Sequence, residues 1–266
     1  MAITSKVAVV TGASRGIGKQ AAIELARRGL QLVLVARTED ARPGTPGTLG
    51  ETAAAVGAVG LAPTVVRADV ASSDDLDRIV STVLATHGGA DVLVNNAAYT
   101  VGRALFTHVP DLTREQWEKH FAVNVTAPLM LIQGFWSSMV GRGGGVVVNV
   151  TSGEAQLRPL TNEVRDLGLP ENGPAYGASK AALNRMANVI AQEGRRHNIA
   201  VVNVEPGFVL TETMAATFER AGVTDTTAIP TSVPALAIAH IVTCRDPMIY
   251  SGTIVDGPAL AADLGR

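Results

Sequence analysis

Seven short apolar runs recur along this chain, each separated from the next by enough residues for one helix. They are Val7-Ala8-Val9-Val10, Leu32–Val35, Thr64-Val65-Val66, Asp91-Val92-Leu93-Val94, Gly145–Val150, Ile199–Val204 and Gly252-Thr253-Ile254-Val255. A strand with no polar alternation has no face to offer to water, so both of its faces must be covered. The intervening stretches carry helical patterns. Ile17, Ala21, Ala22, Leu25 and Ala26 form one stripe that Gly29 stops. A weak helix follows at Glu51–Val59, then an amphipathic one at Asp74–Ala85. Thr113–Met139 can hold a long helix bent near Pro128, Ala175–His197 a second, and Ala235–Thr243 a short third. This alternation specifies an α/β fold: a doubly wound, parallel seven-stranded sheet, Rossmann-like, with helices on both faces.

Composition narrows the function classes. Hydrophobic residues are 47% of 266, enough for the core of one domain spanning 1–266. The Pro/Gly-rich stretch Pro43–Gly50 is too short to divide the chain. A net charge of −2 with dispersed Lys and Arg excludes general affinity for polyanions, so no nucleic acid is expected. The single cysteine, Cys244, excludes an intramolecular disulfide and a Cys-rich metal site. The five histidines (His87, His108, His120, His197, His240) lack HxH or HxxxH spacing. They read as surface or half-buried residues, and no metal is expected. Met1–Lys6 leads straight into a strand without the apolar region of a signal peptide. No apolar run approaches the roughly 18–20 residues that span a bilayer. The expectation is a soluble, cytoplasmic protein with no membrane partner.

Thr11-Gly12-Ala13-Ser14-Arg15-Gly16-Ile17-Gly18 joins the first strand to the first helix. Glycines there permit a tight turn and a close approach of backbone to phosphate, and the helix N-terminus adds unpaired N–H groups. The spacing is G-x3-G-x-G, and a plain turn is the alternative. The second strand ends at Val35-Ala36-Arg37, where such folds meet the adenosine ribose. An acidic residue there binds the 2′-hydroxyl of NAD. Arg37, with Arg15 in the glycine loop, can instead clamp a 2′-phosphate. NADP(H) is therefore preferred over NAD(H). The competing possibility is that Arg37 is an exposed loop residue and NAD(H) is used.

Tyr176-Gly177-Ala178-Ser179-Lys180 opens a long helix, and positions i and i+4 share a face. A free phenol has a pKa near 10. A neighbouring ammonium favours the phenolate, and a drop of roughly three pH units takes about 4 kcal/mol. Ser152 follows the strand Val146–Val150, where parallel sheets place their ligands. Asn124 stands mid-helix in apolar company and needs a hydrogen-bonding reason to be there. Asn95-Asn96-Ala97-Ala98 ends the fourth strand, where the amides can tie strands together or touch a cofactor. Pro206-Gly207 ends the sixth.

TGASRGIG at 11–18, DV at 69–70, NNAA at 95–98, Asn124, Ser152, YGASK at 176–180 and PGFVLT at 206–211 stand in one order across almost the whole chain. This set strongly resembles the short-chain dehydrogenase/reductase family. The resemblance implies hydride transfer between a nicotinamide and a carbonyl or alcohol. Tyr176 would be the acid–base group, and Lys180 would lower its pKa and bind the nicotinamide ribose. Ser152 would orient the substrate oxygen, and Asn124 would support a water relay to Lys180. Asp69 would contact adenine with Val70 beside it. Gly12, Ser14, Arg15, Gly16, Ile17, Gly18 and Arg37 would hold the phosphates, Asn95 and Ala97 would line the cofactor, and Pro206, Gly207, Val209 and Thr211 would follow it to the carboxamide. The family's habits imply a homodimer or homotetramer through Thr113–Met139 and Ala175–His197.

Two departures stand out: Ala98 replaces a usual glycine, and Ser152 and Tyr176 lie 24 positions apart, longer than usual. The excess, around Arg158–Pro174 with Pro159, Gly168, Pro170 and Gly173, reads as a loop over the substrate pocket with a short helix at Asn162–Leu167. Segments 153–175 and 208–234 are thus the expected substrate loops. Their Leu157, Leu160, Leu167, Met214, Phe218 and Ile229 favour an apolar carbonyl compound as partner. Two other functions remain: a non-catalytic NADP-binding sensor on the same fold, and an epimerase, dehydratase or lyase on a related scaffold.

Overall fold

The computed structural model describes residues 5–40, 46–100, 107–157, 173–212, 215 and 228–265. Its sheet contains β1 (Val7–Thr11), β2 (Gln31–Ala36), β3 (Thr64–Arg67), β4 (Val92–Asn95), β5 (Gly145–Val150), β6 (Ile199–Glu205) and β7 (Ile254–Asp256). The order is β3-β2-β1-β4-β5-β6-β7, and every pairing is parallel. The chain leaves β3 at one edge and returns beside β1 as β4. The connections after β1 and β4 therefore run to opposite sides, opening a crevice at the strand C-termini where such sheets bind ligands.

Alternate strand residues feed two cores. Ala8 and Val10 of β1 join Leu32, Leu34, Val148 and Val202 under α1 (Gly16–Arg27), α2 (Leu49–Gly57) and α7 (Ser232–Thr243). Val7 and Val9 join Val33, Leu93, Val147 and Val201 on the opposite face. There lie α3 (Ser73–His87), α4 (Arg114–Phe121), α5 (Ala127–Gly141) and α6 (Pro174–Gly194). Phe135 and Leu131 of α5 are fully buried on that face, each contributing about 1.5–3 kcal/mol.

Element ends follow their caps. Thr48 Oγ1 accepts from Glu51 N at 3.0 Å, so α2 starts earlier than its apolar pattern predicts. Ser72 caps α3, which runs on to Gly88 in the left-handed conformation. The long helix expected at 113–139 begins at a Thr113–Gln116 capping box and reaches Gly141, but it is not uniform. Residues 122–126 form a π-turn between α4 and α5. Pro128 accounts for a break here, because it has no N–H to give to the carbonyl of Asn124. The final helix α8 (Gly257–Leu264) is absent from the sequence expectation. Asp256 Oδ1 caps it at Ala259 N, 2.9 Å away, and Pro258 sits in its first turn.

Candidate active site

The turn after β1 is shaped by two close approaches. A Cβ on Gly12, whose φ is +66°, would lie 2.7 Å from Asn96 Nδ2. A Cβ on Gly18 would collide with the same nitrogen and with the carbonyl of Gly12. Asn96 donates from Nδ2 to Thr11 O at 2.9 Å and to Gly12 O at 3.2 Å. Thr11 Oγ1 in turn accepts from Asn96 N and Ala97 N, both at 3.1 Å. The loop is thus clasped to the end of β4. Ser14 and Ile17 are buried beneath it. Gly16 N–H opens α1 and meets a carboxylate, Glu212 Oε2, at 2.9 Å. Glycines that no Cβ can replace, beside an N–H group that already donates to a carboxylate, suit a dinucleotide pyrophosphate.

Two guanidiniums converge beyond β2. Arg15 donates to Thr38 Oγ1 at 3.3 Å and to Gly47 O at 3.5 Å. Burial holds its pKa down; Glu212 opposes that, and the charge of Arg37 adds to it. Arg37 reaches Asp69 Oδ2 at 3.8 Å, both side chains being about half exposed. Asp69 is itself fixed, its N–H donating to Asp75 Oδ2 at 2.6 Å and its Oδ1 accepting from Ala71 N at 3.0 Å. Val70 is buried beside it. The charge of each guanidinium is thus felt by the other on a half-exposed shelf.

The first turns of α6 carry Tyr176, Ser179 and Lys180. Lys180 is 2% exposed and donates from Nζ to Val150 O at 2.8 Å. Burial depresses its pKa to about 8. Tyr176 is half-buried, with Lys180 Nζ 6.0 Å from its ring centroid. The protein groups raise the phenol's pKa rather than lowering it. Burial is the largest cause, a hydrogen bond with Ser152 opposes it, and the charges of Glu154 and Glu205 add to it. The ammonium of Lys180 is turned to the backbone carbonyl of Val150. Ser152 lies two residues beyond β5 in an extended conformation, and its Oγ also accepts from Glu154 N at 3.2 Å.

Asn124, 1% exposed in the π-turn, donates from Nδ2 to Ser179 Oγ at 2.9 Å and accepts from Tyr99 N at 2.9 Å. Ser179 Oγ donates to Tyr176 O at 2.8 Å. The side chain of Asn124 therefore ties the π-turn to the helix that bears Tyr176. Its carbonyl is the group without the ordinary helical donor. One sequence expectation fails: His120 is neither a surface nor a half-buried residue. It is 0% exposed, and its ring meets Tyr99 (centroids 5.0 Å apart) and Tyr176 (6.1 Å) edge-on. Standing four residues before Asn124, it shares that helix face.

Behind the site lies a buried amide ladder. Asn95 Nδ2 donates to Asn149 Oδ1 at 2.9 Å, and Asn149 Nδ2 to Asn203 Oδ1 at 3.1 Å. Asn203 reaches the carbonyl of Asn184 in α6 at 3.4 Å. The side chain of Asn95 thus ties strands together. Glu205 Oε1 accepts from Gly153 N at 3.2 Å and Gly207 N at 3.1 Å, joining the loops after β5 and β6. Pro206 is buried, and Val209 bridges in parallel to Ile229. Thr211 Cγ2 would lie 3.3 Å from a Cβ on Gly16, so this segment folds over the glycine loop. Among the described residues, Leu157 is fully exposed. Pro43, Pro159, Leu160, Asn162–Leu167, Gly168, Pro170, Met214 and Phe218 lie outside the described residues.

Sequence reasoning passed over Asn149 and Asn203, although a lone amide inside each valine run was a visible signal. Thr38, Glu205 and Glu212 carry no such signal. Among the described residues no helix is long and apolar enough to cross a membrane, and no group of three His, Cys, Asp or Glu side chains could hold a metal.

A family model described as short chain dehydrogenase matches residues 6–222. The chain is 34% identical over 217 residues to dehydrogenase/reductase SDR family member 4 of Oryctolagus cuniculus, which covers 82% of this chain and 75% of that protein. It is 31% identical over 210 residues to an NAD-dependent glycerol dehydrogenase of Listeria innocua, covering 79% and 73%. Among solved structures, L-sorbose reductase from Gluconobacter frateurii, complexed with NADPH and L-sorbose, matches with a TM-score of 0.79 at 28% identity over 98% of each chain.

Proposed function

Because the chain belongs to the short chain dehydrogenase family, we propose that it is an NADP(H)-dependent oxidoreductase that interconverts a carbonyl compound and a secondary alcohol. The observation that carries the reading is the Ser152–Tyr176–Lys180 arrangement at the C-terminal edge of the sheet. When bound, the nicotinamide supplies or accepts hydride. The chain's own residues do the rest. Ser152 and Tyr176 present two hydroxyls to one substrate oxygen. A phenol whose pKa is raised stays protonated at neutral pH, which suits it to donate its proton to the oxygen during reduction. In oxidation it must act as base, which requires positive charge nearby to offset burial and the two carboxylates. Lys180, which is buried, would bind the ribose hydroxyls, and the backbone carbonyl of Asn124 would hold a water that returns protons to it.

Arg15, Arg37 and Thr38 are the proposed 2′-phosphate seat, and they favour NADP(H) over NAD(H). Asp69 would meet the adenine, Ala97 would line the cofactor, and Val209 and Thr211 would face the carboxamide. The chain is proposed to act as one domain, with segments 153–175 and 208–234 shaping the substrate pocket, and to associate as a homodimer or homotetramer. The test is NADPH oxidation against a panel of ketones and ketoses. Tyr176→Phe should lower kcat at least about a hundredfold while leaving NADPH binding within about twofold. Equal turnover by wild type and variant would overturn the assignment. Inertness of both on the panel, with tight NADPH binding, would favour a cofactor-binding sensor.

A further inference from the structure

Gly16 N–H is the donor that a dinucleotide pyrophosphate needs at the start of α1, and it is already engaged. Glu212 Oε2 accepts from it at 2.9 Å across 196 positions of sequence. The contact is not an isolated brush of two exposed groups. Thr211, next in chain, is packed on the same glycine, its Cγ2 3.3 Å from the place of a Cβ. The segment holding both is anchored behind by Leu210 N to Ile229 O at 3.2 Å and Ile229 N to Phe208 O at 2.8 Å. Ahead, Ala215 N donates to Thr211 O at 2.8 Å. Arg15, the neighbour of Gly16, feels the charge of Glu212. A carboxylate at a helix N-terminus next to a guanidinium is stabilised where it stands.

Resting on the nicotinamide-cofactor reading, we propose that Glu212 is a built-in anion that holds the 208–212 segment over the phosphate site and must be displaced when a dinucleotide binds. A carboxylate and a pyrophosphate cannot share one N–H donor, and their like charges repel at this distance. Entry of the pyrophosphate therefore releases Glu212, and Thr211 with it, from the glycine loop. Occupancy of the phosphate site is thereby coupled to the segment that leads into the proposed substrate wall.

The experiment measures dissociation constants of NADPH, by its fluorescence, for the full chain and for Glu212→Gln and Glu212→Ala. The affinity of 2′-AMP, which carries the 2′-phosphate but no pyrophosphate, is measured by competition. Removing an anion from a helix N-terminus should tighten NADPH binding about three- to tenfold in both variants, with 2′-AMP changed less than about twofold. The melting temperature of the variants without nucleotide should fall, while the rise that NADPH produces should grow. Unchanged or weakened NADPH binding would overturn the proposal, since it would mean that Glu212 is a bystander or a cofactor ligand. Equal tightening of both ligands would also overturn it, as a general field effect. If the wild type bound neither ligand, the cofactor reading itself would fall and this inference with it.

Discussion

Replacing Lys180 by Met should separate stability from activity in a way that pH exposes. The ammonium is 2% exposed, and its pKa falls from 10.5 to about 8 through burial. At about 1.4 kcal/mol per pH unit, that gap means a buried charge costing about 3 kcal/mol at neutral pH. The sign follows from proton counts. Between pH 8 and 10.5 the unfolded chain binds more protons at this side chain than the folded chain does, so wild-type stability rises with pH across that window. Below pH 8 the cost is present in full. Lys180→Met removes the charge but also leaves Val150 O without the donor now 2.8 Å away, a loss of about 1–3 kcal/mol. At pH 7 the variant should thus be equal to wild type or up to about 2 kcal/mol more stable. That relative advantage should shrink by about 2–3 kcal/mol by pH 10. Urea unfolding of both proteins at matched pH values measures the difference, and comparing the two cancels every titration they share. Activity of the variant should be lost throughout. A stability difference flat in pH to within about 0.5 kcal/mol would refute the reasoning, because the ammonium would then not be desolvated.

Arg37→Asp should raise the dissociation constant for NADPH about ten- to a hundredfold and leave that for NADH little changed or improved, through loss of charge-assisted bonds to a 2′-phosphate; equal effects on both cofactors, read by fluorescence titration, would remove Arg37 from the seat. Asn149→Ala should strand the amide of Asn95 and the Oδ1 of Asn203 in the core, costing about 2–6 kcal/mol and lowering the melting temperature by roughly 5 °C or more; a calorimetric change under 2 °C would show that the ladder is dispensable.

The strands, their parallel direction and the glycine turn were legible because each follows from a local pattern. A valine-rich run needs two covered faces, and a Tyr and a Lys four positions apart on a helix share a side. Caps and a proline shifted the helix ends by a few residues, and the π-turn at 122–126 was foreshadowed only as a bend near Pro128. His120 was misjudged because its burial is set by Tyr99 and Tyr176, which come from other elements.

The sequence by itself determined which residues could do chemistry and on which strand ends they would stand. Only the tertiary structure decided their electrostatic setting. Asn95, Asn149 and Asn203 meet because three strands align in register, and Glu205 stitches two loops that leave different strands. The phenol of Tyr176 is pushed up and the ammonium of Lys180 down by burial, which no spacing encodes. Glu212 reaches Gly16 because the chain after β6 folds back over the first turn. Side-chain identity is a local property, whereas desolvation and long-range contact exist only once the chain has closed around them.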